Sequence, residues 1–236
     1  MASTHSLDLE STSSQYAIKE SPTGLPTTGD VTMEAWFNPE SLAAVAVLIS
    51  TGGGDPDATE ANNQRYSLQV DTDGKIRYFH EYSTGANELV TTTSAHVSTG
   101  NWYHLAQTRK VSTKEIIFYL NGVAIETLNY TNAPTGGTTI DLIIGADDVL
   151  SIFVDGLVKE IRIWDHVRTP SEIYANYQRE LAGNESGLAG YFKFNNDYMD
   201  ETANGNDLTA VNSPAFSTDI PVFVSPSGSL LVNSII

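Results

Sequence analysis

Strand-length runs of alternating apolar and polar residues recur between turn signals from about residue 6 to about residue 216. A period of two sends successive side chains to opposite faces, so such runs form strands with one face buried. The clearest lies at residues 30–38, where Val31, Met33, Ala35 and Phe37 alternate with Thr32, Glu34, Trp36 and Asn38. Comparable runs fall near residues 6–10, 15–19, 45–50, 65–70, 75–82, 88–92, 102–109, 115–120, 123–129, 139–144, 157–164, 188–194 and 208–211. So many short strands, spread along one chain, point to an all-β sandwich. Two turns fix local pairing. Asn121-Gly122 separates KEIIFYL from VAIETL, and Asp73-Gly74 separates RYSLQV from KIRYFHEY; both dipeptides accept the positive φ of a tight hairpin. One segment follows a helical rule instead. Thr169 caps it, Pro170 suits its first position, Glu172 completes a capping box, and it is expected to end near Leu181, before Gly183.

Hydrophobic residues make up 40% of the 236, enough for one sizeable core. The expected organisation is a single sandwich over residues 1–218, followed by an apolar tail at 219–236. Val222, Phe223, Val224, Leu230, Leu231, Val232, Ile235 and Ile236 make that tail a docking or assembly segment. Twelve basic against 29 acidic side chains leave a net charge of −17. Nucleic acid and anionic membrane surfaces are therefore not expected partners, because both are bound through Lys and Arg. The chain has no cysteine, which removes disulfides and thiolate metal sites. No run is long enough to insert in a bilayer; the longest apolar one spans residues 42–49. The start, MASTHSLDLE, shows no secretory signal.

The segment GLVKEIRIWDHVRTPSEIYANY at residues 156–177 resembles the closing element of laminin G-like and pentraxin domains. GNWYHLAQTRK is similar to the "W-HVA-T" strand of that family, and IIFYLNGVAI to its "LYVNGV" hairpin. LDLESTSSQYAI, GDVTMEAWFNPES, SGLAGYFKFNN and ANGNDLTAVNSPAF match further family segments in the right order. The resemblance covers about residues 6–216 and implies the concanavalin A-like fold, two antiparallel sheets in a jelly roll with loops at a rim. Trp36, Trp102 and Trp164 each fall on an expected strand, where a large ring would fill the space between the sheets.

The family often holds Ca²⁺ at the rim, and two acidic loops occupy the matching places. One, GGGDPDATEANN, carries Asp55, Asp57 and Asn62 with Glu60 and Asn63; the other, GADD, carries Asp147 and Asp148. Oxygen ligands from several loops suit Ca²⁺, which accepts six to eight of them. A solvated acidic loop is the other reading of the same residues. Val149, Ser14 and Lys159 depart from the family's acidic pattern.

No catalytic set can be assembled. Glucanases of this fold use an acid-x-acid-x-acid strand, whereas Glu34 and Glu160 are single acids, expected at a rim or sheet face. His5, His80, His96, His104 and His166 are scattered singly, and His104 is expected to be structural. The expected function is a non-catalytic recognition module that binds a glycan or surface polymer through its rim loops, aided by Ca²⁺. The alternative is a decoration or attachment protein of a virion, such as a bacteriophage, or of a cell surface. In that case the tail would contact a particle or a second copy. A glycan-active enzyme is the remote third reading. All three place the protein outside the cell or on a virion surface.

Overall fold

The computed structural model describes residues 4–52, 64–83, 86–134 and 140–223. Fifteen strands are found among these: β1 (Ser6–Leu9), β2 (Tyr16–Lys19), β3 (Val31–Pro39), β4 (Ala46–Gly52), β5 (Tyr66–Val70), β6 (Ile76–Ser83), β7 (Ala86–Thr91) and β8 (Tyr103–Lys110). They continue with β9 (Glu115–Leu120), β10 (Val123–Asn129), β11 (Asp141–Ile144), β12 (Gly156–Trp164), β13 (Leu188–Phe192), β14 (Thr209–Val211) and β15 (Ala215–Ser217). A single α-helix, α1 (Pro170–Asn176), follows β12. The strands form two antiparallel sheets. One runs β10-β9-β8-β3-β12-β1-β15, with β13 also on β12, and the other runs β14-β2-β11-β4-β5-β6-β7.

The alternation of β3 decides what lies between them. Val31, Met33, Ala35 and Phe37 enter the main core with Leu68, Val70, Tyr78, Leu142, Ile144, Val158 and Ile163. Trp36 must then point away, and it does so. Trp36 and Trp164 are almost fully buried on the outer face of the first sheet, beneath α1 and the segment after it. Trp102 precedes β8, half-buried, and donates Nε1 to Asp219 Oδ1 at 3.0 Å. The tryptophans are thus packing aromatics, but none of them fills the space between the sheets. Period-two geometry forbids it for Trp36 once its neighbours face inward.

α1 begins as expected. The Thr169 hydroxyl accepts from Glu172 N, and the Glu172 carboxylate accepts from Thr169 N at 2.7 Å. It stops at Asn176, short of Leu181, because the next carbonyls are used by the sheet below. Trp36 Nε1 donates to Tyr177 O at 2.8 Å, and the Arg162 guanidinium donates to Asn176 O and Arg179 O.

Both expected hairpins form, but only at Asn121-Gly122 is the turn two residues long; between β5 and β6 Gly74 alone of the expected pair has positive φ, and Asp71 N donates to Lys75 O across a longer turn. Asn121 and Gly122 have φ of 48° and 79°, the pair of left-handed residues that a two-residue turn needs. A Cβ on Gly122 would also stand 2.6 Å from the Tyr177 ring. Gly122→Val is therefore expected to cost about 1–3 kcal/mol through backbone strain, read as a lower urea midpoint; parental stability would refute the register.

Beyond β15 the chain lies on its own sandwich. Ser6 Oγ donates to Asp219 O at 2.6 Å, and the buried Phe223 ring meets Trp36 edge-on at 6.0 Å. The rest of the apolar tail, from Val224 onward, lies outside the described residues.

Candidate functional site

Of the five residues expected at the rim, Asp55, Asp57 and Asn62 lie outside the described residues. Asp147 and Asp148 follow β11 and have different roles. Asp147 is a brace: its Oδ1 accepts from Ser151 N at 2.7 Å and Ile152 N at 2.8 Å, and its Oδ2 from Ser151 Oγ at 2.7 Å. Three such bonds hold the loop between Ala146 and Phe153, which also pair as a β-bridge.

Asp148 is the group with unspent charge. It sits over Gly52, where an added Cβ would come within 2.6 Å of the Asp148 Cβ, so only glycine fits below it. Burial, with the nearby charges of Glu81 and Asp147, pushes its carboxyl up to about 7. Glu81 enters from β6 and accepts from Gln64 N at 3.2 Å. Gln64 is tied to β4 through Ser50 Oγ at 2.8 Å, and Arg65 N donates to Thr51 O at 2.8 Å. Gly52 and Gln64, the two ends of the 53–63 segment, therefore stand side by side between Asp148 and Glu81. Asp148 and Glu81 offer carboxylate oxygens of the kind a hard divalent ion takes, with the Arg65 guanidinium also acting on Glu81. Glu81 was not legible as a member, since only the pairing of strands distant in sequence brings it near.

The second concentration of ionisable groups is wholly enclosed. Glu34, on the outer face of β3, accepts from Trp164 Nε1 at 2.7 Å and from Arg168 Nη1 at 3.4 Å through Oε1. Its Oε2 accepts from His104 Nε2 at 3.2 Å and faces Arg162 Nη1 at 3.6 Å. Burial alone would raise the Glu34 carboxyl, but the His104 hydrogen bond and the charges of Arg162, His104 and Arg168 outweigh it and hold it at about 2. Burial lowers His104, while its hydrogen bond to Glu34 and the Glu34 charge work in the opposite sense. Glu160 accepts from Arg162 Nη2 and from the Tyr191 hydroxyl, each at 2.7 Å. A bulge in β12 between Lys159 and Arg162, with Glu160 at φ 53°, breaks the alternation set by the inward Val158, so that Glu160 lies with Arg162 on the outer face. Glu34 and Glu160 are thus sheet-face residues, but fully buried and neutralised by arginine. They fasten α1 to the sheet.

The Laminin_G_3 family model, of the concanavalin A-like lectin/glucanases superfamily, matches residues 10–174. The chain belongs to this superfamily. No curated protein is a significant sequence match to this laminin G-like module. Solved structures share its fold. A Bacteroides ovatus protein provisionally called carbohydrate binding superposes with a TM-score of 0.63 at 18% identity, over 92% of this chain. The chain spans only 60% of that protein. The heptameric SAP-like pentraxin of Limulus polyphemus gives 0.62 at 14% identity, over 90% of this chain and 94% of its own. The CBM40 domain of a Ruminococcus gnavus sialidase, bound to α2,3-sialyllactose, gives 0.55 at 15% identity, over 74% and 98%. In the laminin G-like module the GLVKEIRIW motif is β12, central to its sheet, and Lys159 there donates Nζ to His5 O and Lys193 O.

Proposed function

We propose that this module is a non-catalytic recognition domain that binds a glycan or related surface polymer through its rim loops, with Ca²⁺ held at Asp148 and the acidic 53–63 segment. The supporting observation is the Asp148 carboxyl, pushed up to about 7 between Glu81 and Asp147 at the root of that segment. A divalent ion would offset the repulsion and leave a coordination position for sugar hydroxyls. It would also let a chain of net charge −17 accept an anionic sugar. Sugar-bound CBM40 has the same fold, which makes a glycan the first ligand to try. The test is a glycan array probed with the full chain in calcium and in chelator. Retention of a defined glycan class that chelator abolishes is the expected result, and no retention in either medium would refute the proposal.

The same site predicts a pH dependence. The folded-state pKa of Asp148 lies above its ordinary 3.8, so the folded form keeps a proton that the unfolded chain releases. In chelator this group's contribution to stability falls as pH rises from about 4 through about 7. Calcium should raise the melting temperature by mass action, and the rise should be larger at pH 8 than at pH 5. Asp148→Asn should remove that rise while keeping the fold. Asp147→Ala should lower stability even in chelator, because it unties the loop. Melting curves of Asp148→Asn and parent with equal calcium shifts would overturn the rim assignment.

A further inference from the structure

A second acidic group lies on the outer face of the first sheet, at the end where β1, β12 and β3 run side by side. Leu157 of β12 pairs with Asp8 of β1 on one side and with Asn38 of β3 on the other. Paired residues share a face, so Asp8 and Asn38 look outward together. Glu10 and Glu40 follow them by two residues, and Asp155 precedes Leu157 by two. One oxygen from each of Asp8, Glu10 and Glu40 lies within 4.8 Å of the others. Gly156 makes the approach possible, since a Cβ there would stand 2.4 Å from Asn38 O. Glu40 N and Ser41 N both donate to Asp155 O, which fixes the turn carrying Glu40.

Among the described residues, no basic group acts on Asp8 or Glu40. Every charge acting on Glu40, from Asp8, Glu10, Asp155 and Asp219, is negative. The charge acting on Asp8, from Asp155, is negative as well. Two further observations point to a ligand. Asp8 Oδ1 is closed off from solvent without a hydrogen-bond donor. Asn38, only 8% exposed, directs Nδ2 to Asp219 Oδ2 at 3.4 Å and leaves its buried Oδ1 without a donor. A buried oxygen left this way is costly unless something binds it. A cavity of about 60 Å³ lies beside Asp155, lined otherwise by Ser11, Ser41, three alanines and Phe153, with room for water.

We propose that Asp8, Glu10 and Glu40 bind one Ca²⁺ ion, separate from the rim, with the buried Asn38 Oδ1 as a neutral oxygen beside it and solvent water filling out the shell. Calcium is the ion that tolerates such an irregular all-oxygen set, whereas magnesium demands a near-octahedral one. Asp219 lies against this group and is held by Trp102 and Ser6, so the ion would also bind the segment beyond β15 to the sandwich.

The test uses the full chain, stripped with chelator and titrated with Ca²⁺ by calorimetry, beside a Glu10→Gln/Glu40→Gln variant and Asp148→Asn. Both glutamates are exposed, so the double variant should fold. It should lose one class of ion, or bind it at least about tenfold more weakly, while Asp148→Asn keeps that class. Melting temperatures give a readout of opposite sign. In chelator the double variant should melt above the parent, because repulsion is relieved, and in millimolar Ca²⁺ it should melt below. A calorimetric isotherm equal to the parent's, or an unchanged order of melting temperatures in the two media, would overturn the site. Either result is independent of Asp148, so the rim can fail while this site stands.

Discussion

Glu34→Ala is expected to lower the unfolding free energy by about 3–5 kcal/mol, the usual cost of removing one partner from a buried ionic network. The carboxylate answers four donors: Trp164 Nε1, Arg168 Nη1, His104 Nε2 and Arg162 Nη1. Without it, Arg162 keeps only Glu160 as a carboxylate partner, and His104 and Trp164 lose their acceptor inside the protein. Glu34→Gln retains an oxygen for the indole but not the charge, so it should fall between parent and alanine. Urea unfolding monitored by tryptophan fluorescence measures both. A loss below about 1 kcal/mol for Glu34→Ala would mean that water replaces the carboxylate, contrary to the enclosure described. The same group sets an acid limit. Its folded-state pKa, about 2, lies below the ordinary 4.5, so its contribution is present above pH 4.5 and is lost as pH falls towards 2.

Gly74→Ala should be nearly as damaging, for a different reason. Gly74 sits in the turn between β5 and β6 at φ 79°, and a Cβ there would lie 2.1 Å from the Val97 carbonyl oxygen. That oxygen cannot retreat easily, because His96 N and Val97 N are themselves bonded to Gly74 O at 2.8 and 3.0 Å. Gly100 provides the comparison: its φ is 77°, yet an added Cβ would meet nothing within 4 Å. Gly100→Ala should cost the conformational penalty alone, about 1–2 kcal/mol. Gly74→Ala should exceed it by at least about 2 kcal/mol, since backbone must move. Equal losses in paired denaturation curves would show that the 94–97 loop yields without resistance.

Much of this was legible in the sequence because it is local. The inner face of β3, the Asn121-Gly122 turn and the capping box at Thr169 each depend on neighbours within a few residues. The alternation around Trp36 even contained the answer to where that ring points, since four apolar neighbours had already claimed the inner face. What stayed hidden depends on strands brought together from afar. Glu34 meets Arg162 and Trp164 only because β3 pairs with β12. The bulge at Glu160 breaks the period of two, so no alternation rule assigns its side chain. Asp148 resembled its neighbour Asp147 in sequence, and only the loop's hydrogen bonds to Asp147 tell the two apart. Asp8 and Glu40 come together across an intervening strand, which no spacing reveals.

Strand order has a consequence for the growing chain. β1 pairs with β12 on one side and β15 on the other, and both are made long after it. At about 5–20 residues per second, the interval from Leu9 to Gly156 leaves β1 without a partner for roughly 7–30 s. Its sequence is fitted to that wait. Ser6, Asp8 and Glu10 alternate with Leu7 and Leu9, and negative charge at two of these three outward positions discourages another nascent chain from adding to the open edge. The carboxylates that crowd together in the finished sheet would thus keep the ribosome-bound intermediate apart from its neighbours. An ion bound among them, as proposed above, would relieve that crowding in the folded chain.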